Sequence, residues 1–249
     1  MTLVSVRNRL DRLTGRQPPP VVPVFEEFHS DKYVRLNQRR QEHLASLGLA
    51  LAGKSVLEVG AGVGDHTSFF LDRGCTVVAT EGRPENLAVL RERFPGLDVR
   101  LLDLDRPDRS FDVQADVVYC YGTLYHLRKP ARALEFLARR ARELLLLESC
   151  VSQGTKESLN RVREPEWNPS QSLSGIGCRP TRPWIHAELK RHFPFVYMTR
   201  TQPAHAEFPT DWTVPAPPGE NIRAIWVASG EPLENPLLTE EIPDLQTRQ

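Results

Sequence analysis

Three glycines alternate with single residues in the stretch VLEVGAGVGDHTSFF, residues 56–70, where an apolar run gives way to a polar segment. Glycine at every second position stabilises neither a strand nor a helix, so Gly60, Gly62 and Gly64 indicate a loop whose backbone is closely approached. Their G-x-G-x-G spacing differs from the G-x-G-x-x-G of dinucleotide-binding loops, and no Gly-Lys-Ser/Thr of a P-loop follows. Glu58 precedes the loop, and its carboxylate would repel a pyrophosphate but tolerate a cationic ligand. The pattern therefore predicts a site for a ligand with positive charge.

Further acids and a histidine fall where the following strands are predicted to end. Glu81 lies about 20 residues after the first glycine, the spacing at which acids that bind ribose occur in α/β nucleotide-binding folds. Asp103 lies near the end of the next predicted strand, with Asp105 as an alternative. His126 follows the strand after that, and a histidine that titrates near neutrality can act as a general base. Capping a loop or packing beside Tyr125 would explain this histidine equally well.

The elements that would position these residues alternate between strands and helices. The predicted strands are 55–60, 75–82, 97–105, 115–122 and 143–150, and the intervening helices include 66–74, 84–94 and 131–141. Such alternation is typical of an α/β protein with a parallel, doubly wound sheet. Ligands of these sheets bind at the carboxyl ends of the strands, which is where the acids and His126 fall.

The N-terminal region has a different pattern. Two helices are predicted there, at 3–13 and at about 34–50, with prolines after the first. We expect residues 1–50 to form a helical cap on a ligand-binding domain of residues 51–230.

After Cys150 the sequence becomes rich in proline, serine and glycine. It predicts one helix and two strands, at 182–193, 195–202 and 223–230. The long segments 151–180 and 203–221 are irregular, and loops of this length are usually functional lids or disordered linkers. Their aromatic residues and histidine favour ordered lids. The polar tail, 231–249, is expected to be loosely held and flexible.

Composition excludes several classes of protein. Lysine and arginine together number 32, as do the acids, so the formal net charge is zero. The chain therefore lacks the excess of positive charge expected of a dedicated nucleic-acid-binding protein. The four cysteines have no metal-ligand spacing, and we expect no metal site. No apolar run approaches the roughly 18 residues of a membrane helix, and the N-terminus lacks the apolar core of a signal peptide. We expect a cytoplasmic monomer or homodimer without membrane contact.

The loop EVGAGVG, followed by Glu81 and Asp103, resembles the motifs of the class I S-adenosylmethionine-dependent methyltransferases. The likeness covers about residues 55–150, and YGTLYHL at 121–127 is similar to the aromatic–histidine segment of many small-molecule methyltransferases. The resemblance implies a Rossmann-like sheet of seven strands with an antiparallel last strand. It also implies S-adenosylmethionine as the methyl donor.

The resemblance further implies which residues meet each ligand. Glu81 would hold the ribose hydroxyls, and Asp103 would lie near the adenine amino group. The predicted donor-binding residues are Glu58, Gly60, Ala61, Gly62, Gly64, Glu81, Gly82, Asp103, Leu104, Tyr121 and Tyr33. His126 is the candidate catalytic residue. The predicted acceptor-binding residues are Tyr125, His126, Glu148, Arg179, Arg182, His205 and Trp212.

Several kinds of methyl acceptor are disfavoured. The segment CYGTLY lacks the Asn/Asp-Pro-Pro-Tyr/Phe of amino-methylating DNA and protein enzymes, and Cys120 follows a tyrosine instead of the proline of cytosine C5 methylation. Arg179 and Arg182 could clamp an acceptor carboxylate or phosphate, or could tie a lid to the domain. We therefore expect methylation of oxygen or nitrogen on a small-molecule, sugar or peptide acceptor. The alternatives are a catalytically silent donor-binding or partner-binding module and, less favoured by the neutral charge, an RNA methyltransferase.

Overall fold

A computed structural model describes residues 23–249, and a single large sheet runs through its centre. The strands of this part of the chain are β1 (Ser55–Val59), β2 (Thr76–Glu81), β3 (Asp98–Leu101), β4 (Ala115–Tyr121), β5 (Ala141–Val151), β6 (Leu159–Arg163), β7 (Ile176–Pro180), β8 (Phe195–Thr199), β9 (Thr201–Gln202), β10 (Ile222–Ser229), β11 (Leu238–Thr239) and β12 (Thr247–Arg248). Eight of them form the large sheet in the order β3-β2-β1-β4-β5-β10-β8-β11. The first five are parallel, and β10 is antiparallel to both of its neighbours. The predicted fold class, with an antiparallel strand after the parallel ones, is confirmed.

Helices cover both faces of the sheet. They are α1 (Val24–Phe28), α2 (Asp31–Ser46), α3 (Thr67–Leu71), α4 (Pro84–Arg93), α5 (Pro130–Ala138) and α6 (Arg182–Lys190), with a short 3₁₀ turn at Leu124–His126. One face packs against α2, α3 and α4 through apolar side chains such as Leu44, Phe70 and Leu87. The other face packs against α5 and α6 through Leu134 and Ile185. Proline occupies the first turn of α4 and of α5 and helps to set where these helices begin. The first N–H groups of a helix have no partner within the helix, so proline costs no hydrogen bond there.

The structure departs from the sequence prediction after Cys150. The segment predicted as an irregular lid, 151–180, contains the antiparallel hairpin β6–β7, and the predicted strand 195–202 is divided into β8 and β9. The tail is not loose: β11 adds an eighth strand to the predicted seven. The buried side chain of Gln246 also bonds to Gln202 and Trp212. Polar residues of the tail thus satisfy buried polar groups, a role that hydropathy does not reveal.

The N-terminal helices begin earlier than predicted. The helix expected at about 34–50 runs from Asp31 to Ser46, and the short α1 precedes it. The predicted helix at 3–13 lies outside the described residues. Within them, no helix is both long and apolar enough to cross a membrane.

The four cysteines are free thiols buried in separate parts of the fold. Cys75 precedes β2, Cys120 lies in β4, Cys150 in β5 and Cys178 in β7. Burial raises the pKa of the thiols of Cys120, Cys150 and Cys178 to about 12, 11 and 12. They are therefore protonated at neutral pH and behave as small apolar side chains.

Candidate active site

The glycine loop turns the chain from β1 toward α3 with left-handed backbone conformations. The φ angles are +69° at Gly60 and +59° at Gly62, where a side chain would be strained. A Cβ at Gly60 would lie 2.1 Å from the Thr123 hydroxyl, and one at Gly62 would lie 2.9 Å from the ring of Phe28. Both glycines are therefore required by the protein's own neighbouring side chains, in addition to any ligand.

A cleft opens beside this loop at the carboxyl ends of the parallel strands. It is lined by the glycine loop, by the residues that end β1, β2 and β4, and by residues 169–171 and 173. The predicted donor-binding residues that line it are Glu58, Gly60, Ala61, Gly62, Glu81, Gly82, Asp103, Leu104, Tyr121 and Tyr33. Gly64 does not line it, because that glycine packs against Leu90 of α4 and against Phe94, which follows that helix.

Glu81 joins the end of β2 to the glycine loop and to the start of α4. Its Oε2 accepts a hydrogen bond from the Gly62 N–H at 2.9 Å, and its Oε1 accepts one from the Arg83 N–H at 2.8 Å. Burial raises the pKa of this carboxyl, and the backbone hydrogen bonds oppose the rise. A fixed carboxylate in this position can accept hydrogen bonds from ligand hydroxyls and would repel a phosphate.

Glu58 is buried below the loop in β1. Its Oε2 accepts a 2.6 Å hydrogen bond from the Thr67 hydroxyl at the start of α3. Burial raises the pKa of Glu58 to about 7. A positive charge bound nearby would favour the ionised form of this acid, so the site is suited to a cation.

The structure separates the roles of the two acids that follow β3. Asp105 accepts hydrogen bonds from the backbone N–H groups of Arg128 and Lys129, at 2.9 and 2.7 Å, and so fixes the chain ahead of α5. Asp103 accepts a 2.9 Å hydrogen bond from the Asp105 N–H and is half-buried at the cleft. Asp103 therefore has fewer protein hydrogen bonds than Asp105 and more oxygen capacity for a ligand.

Among residues 23–249, five residues that line the cleft have a buried polar atom without a hydrogen-bond partner: Arg40, His66, Arg83, Asn86 and Tyr121. Two of these atoms, the hydroxyl of Tyr121 and the Nε2 of His66, belong to aromatic side chains. The other ring nitrogen of His66 bonds to the Tyr119 hydroxyl, and burial lowers the pKa of His66 to about 3, so the ring is neutral. An unsatisfied buried polar group costs roughly 1–3 kcal/mol, which a polar ligand group would recover.

His126 is held at the cleft by an acid that the sequence prediction did not include. Its Nδ1 lies 2.6 Å from Oε2 of Glu164, which follows β6, and its ring contacts Tyr125 with centroids 4.1 Å apart. Burial acts to raise the pKa of Glu164, but the bonds from His126, Ser172 and Arg179 outweigh it and lower the value. An ionised carboxylate can only accept, so Nδ1 carries the proton and Nε2 is an acceptor when the ring is neutral. Burial lowers the pKa of His126, which favours that neutral form.

Most of the residues predicted to bind the acceptor lie outside the cleft. Arg182 stacks on Trp212 and donates to the Pro243 carbonyl at 2.6 Å, so it anchors the tail. Trp212 is buried, with its indole N–H on Gln246 at 2.7 Å. His205 accepts from the Glu207 N–H within its own loop. Of the predicted set, only Tyr125 and His126 line the cleft.

Arg179 belongs to the support of the His126–Glu164 pair. It donates to Oε1 of Glu164 at 3.2 Å and to the Tyr125 carbonyl at 3.4 Å. Because these acceptors occupy its guanidinium, the geometry favours the structural interpretation of this arginine over an acceptor clamp.

Glu148 lies in a buried charge network behind the cleft. Its two oxygens accept from Arg40 at 2.7 Å and from Arg223 at 3.0 Å. Arg223 also donates to Glu207 at 2.6 Å and to the Tyr125 hydroxyl at 3.2 Å. The carboxylate is thus saturated by protein groups, and its effect on the site passes through Tyr125.

A lid roofs the cleft, formed by residues 165–175 between β6 and β7. Arg83 donates to three of its carbonyls, those of Glu166, Gln171 and Ser172, at 2.9–3.1 Å. From the other side, Glu27 of α1 accepts from the Ser170 hydroxyl at 2.8 Å. Sequence reasoning missed Arg83 and Glu164. The proline-rich composition indicates an irregular segment at 151–180, but no local pattern identifies the side chains that hold residues 165–175.

Comparisons with known proteins match this chain to methyltransferases. Residues 57–144 match a family model described as a methyltransferase domain. An uncharacterized methyltransferase of Mycobacterium tuberculosis is 37% identical over 144 residues, which are 58% of this chain and 58% of that protein. A chloroplastic ribosomal RNA small subunit methyltransferase of Arabidopsis thaliana is 36% identical over 67 residues, 27% of this chain and 20% of that protein. These matches indicate the class I S-adenosylmethionine-dependent methyltransferase family, with the family model matching less than half of the chain. The chain spans under two thirds of the length of the curated relatives it matches.

Solved structures share the fold. The N-terminal domain of EvdMO1, crystallised with SAH and D-fucose, covers 90% of this chain and 97% of its own, with a TM-score of 0.59 and 21% identity. Magnesium protoporphyrin IX methyltransferase from Synechocystis PCC 6803 with bound SAM covers 90% and 91%, with a TM-score of 0.52 and 15% identity. At these identities the likeness establishes the fold, and the acceptor has to be argued from the site.

Proposed function

We propose that this protein transfers a methyl group from S-adenosylmethionine to an oxygen or nitrogen atom of a small-molecule, sugar or peptide acceptor. The observation that carries the proposal is the position of His126, whose ring lines the same cleft as Glu81 and the glycine loop. A proton acceptor therefore lies within the cavity that also holds the donor-site residues.

The cleft fits S-adenosylmethionine by its chemistry. Its walls carry the carboxylates of Glu58, Glu81 and Asp103, which suit a cationic nucleoside without phosphates. Glu81 would hold the ribose hydroxyls and Asp103 the adenine amino group. The orphaned Tyr121 hydroxyl and His66 Nε2 would bind polar groups of the ligands.

The chain's own contribution to the reaction is alignment, exclusion of water and removal of a proton. The bound donor supplies a methyl group already activated on a sulfonium. As the acceptor–methyl bond forms and the sulfur–methyl bond breaks, the acceptor loses a proton, which Nε2 of His126 would take. The lid and α1 exclude water from the cleft, and alignment in such a site can replace a large part of the entropic cost of the encounter.

The cleft and the names of related proteins support a choice of acceptors to test first. A neutral His126 beside the apolar face of Tyr125 suits a small molecule whose hydroxyl or amino group must lose a proton during methylation. Structural neighbours carry names that refer to a sugar, D-fucose, and to a heterocycle, 1,6-didemethyltoxoflavin. A first acceptor panel should therefore contain sugars, aromatic heterocycles and short peptides.

Calorimetric titration with S-adenosylmethionine and with S-adenosylhomocysteine tests the donor site. No binding at high micromolar concentration would refute the proposal. Turnover to S-adenosylhomocysteine, corrected for hydrolysis across the acceptor panel, tests the reaction. Tight donor binding with silence across the panel would instead favour a catalytically silent donor-binding or partner-binding module. Transfer to RNA alone would favour RNA methylation.

A further inference from the structure

The lid is fastened to the wall of the donor site. Arg83 reaches the lid carbonyls with its side chain, while its backbone N–H bonds to Glu81, the acid proposed to hold the ribose. Asn86 of α4 donates to the Pro169 carbonyl of the lid at 3.0 Å. Leu173 packs so closely on Gly82 that a Cβ there would lie 2.7 Å from its methyl group. The donor site and the lid therefore share one set of contacts.

The lid is also fastened to His126 through Glu164. One oxygen of Glu164, Oε2, accepts both from His126 Nδ1 at 2.6 Å and from the backbone N–H of Ser172 at 2.9 Å. The carbonyl of Ser172 in turn accepts from Arg83 at 3.0 Å. A continuous series of hydrogen bonds thus joins Glu81, Arg83, the lid, Glu164 and His126.

We infer that Glu164 is a positioning residue that aligns His126 when the lid is closed over the donor site. The inference rests on the function proposed above, because there His126 is the general base that Glu164 would orient. With the lid closed, Glu164 fixes the Nδ1–H tautomer and leaves Nε2 to accept the proton from the acceptor. With the lid open, Ser172 leaves the shared oxygen and the alignment loosens.

The charged groups around His126 set the direction of the expected effects. Glu164 is the anion that faces the ring, while the cations Arg179 and Arg223 face it from β7 and β10. Replacing Glu164 by glutamine removes the anion and leaves both cations. The pKa of His126 should therefore fall further, because the anion that favours the protonated ring is gone.

Nitrogen-15 NMR of the His126 ring tests the inference without any methyl transfer. Spectra are recorded against pH for the wild type, Glu164→Gln and Arg83→Met, with and without S-adenosylhomocysteine as the probe. Glu157→Gln, an exposed acid ahead of β6, and Arg91→Met, an exposed arginine of α4, are the matched controls. Wild type and controls should hold the Nδ1–H tautomer. Glu164→Gln should show a mixture of the two His126 tautomers. Arg83→Met should show the same mixture without S-adenosylhomocysteine, and less of it if the bound probe closes the lid.

Kinetics add a second measurement. In Glu164→Gln, kcat should fall about 10–100-fold while donor affinity stays within about twofold, because the change acts on alignment of the base and not on donor contacts. Glu164→Asp keeps the negative charge on a shorter side chain. It should therefore have a kcat between those of Glu164→Gln and the wild type, and a His126 pKa close to that of the wild type. If Glu164→Gln fails to fold by circular dichroism, Glu164→Asp and Arg83→Met carry the test.

An unchanged His126 tautomer and pKa in both Glu164→Gln and Arg83→Met would overturn the inference. The same result in Arg83→Met alone would overturn the dependence on the lid. If the tautomers mix as expected but no acceptor is methylated by the wild type, the positioning role stands and the proposed function fails. The two ideas can therefore fail separately.

Discussion

Replacing Glu148 by glutamine would remove the negative charge that lies between Arg40 and Arg223. The carboxylate is fully buried in β5 and binds one arginine through each oxygen. Both arginines are themselves almost completely buried, so water cannot replace the lost charge. Glutamine keeps one acceptor oxygen but turns an amide N–H₂ toward a guanidinium, which has no acceptor to offer.

The magnitude follows from how the network is shared. Breaking a buried ion pair by removing one partner costs about 3–5 kcal/mol, because the other charge stays buried without compensation. Arg223 keeps Glu207 as a partner at 2.6 Å, while Arg40 keeps only the neutral Asn37 at 2.9 Å. We therefore expect a loss near the lower end, about 3 kcal/mol of unfolding free energy. For a chain of this length that corresponds to a melting temperature lowered by roughly 6–12 °C.

The assay is urea unfolding followed by far-ultraviolet circular dichroism, with Glu135→Gln as the control. That control makes the same chemical change in an exposed i,i+4 pair between Glu135 of α5 and Arg139, which follows the helix, and the loss should be about 0.3–0.5 kcal/mol. If Glu148→Gln unfolds at the same urea concentration as Glu135→Gln, with equal slopes, the network does not stabilise the fold and the reasoning is refuted.

Three further predictions concern the site. Glu81→Gln should weaken S-adenosylhomocysteine binding about 10–100-fold in calorimetry, because hydrogen bonds to a charged group contribute about 1.5–3 kcal/mol; unchanged affinity would remove Glu81 from the donor site. His126→Ala should lower kcat at least 100-fold with donor affinity preserved. Because burial lowers the pKa of His126, wild-type kcat should stay high down to a pH below the ordinary histidine pKa of 6.5. A fall in kcat on the acid side centred above pH 6.5 would contradict this. Burial raises the pKa of Glu58 to about 7 from 4.5, so the unfolded chain ionises this acid first and stability should fall as pH rises between those values. Between pH 4.5 and 7, urea unfolding should show that the wild type loses on the order of 3 kcal/mol more unfolding free energy than Glu58→Gln. If the unfolding free energies of the two proteins change in parallel with pH, Glu58 has an ordinary pKa.

The parallel half of the fold could be predicted from the sequence because its signals are local. Strands buried on both faces read as continuous apolar runs, as in the leucines of β5, and β1, β2 and β4 lead into the helices α3, α4 and α5. The site residues at the ends of β1, β2 and β3 follow from the same pattern, because parallel strands bring their carboxyl ends to one edge. Glu58, Glu81 and Asp103 were predicted at the cleft for this reason.

The second half could not be predicted in the same way. The partners of Arg182, Arg179 and Glu148 are set by long-range packing, and a long charged side chain near a cleft in sequence can point away from it in space. Glu164 lies 38 residues from His126 and reaches it only because the hairpin β6–β7 folds back over the 3₁₀ turn. Periodicity carries no information about such contacts, which depend on where two irregular segments meet.

The buried cysteines give the molecule built-in reporters of its own motions. A thiol that is enclosed and protonated reacts with a labelling reagent only after its surroundings open, so the labelling rate measures that opening. Cys120 and Cys150 lie in the central sheet, where only extensive unfolding would expose them, whereas Cys178 lies in β7 of the hairpin that carries the lid. A labelling rate at Cys178 that slows when donor is added, while Cys120 stays unreactive, would follow the opening of the lid region in the unmodified chain, without an engineered probe.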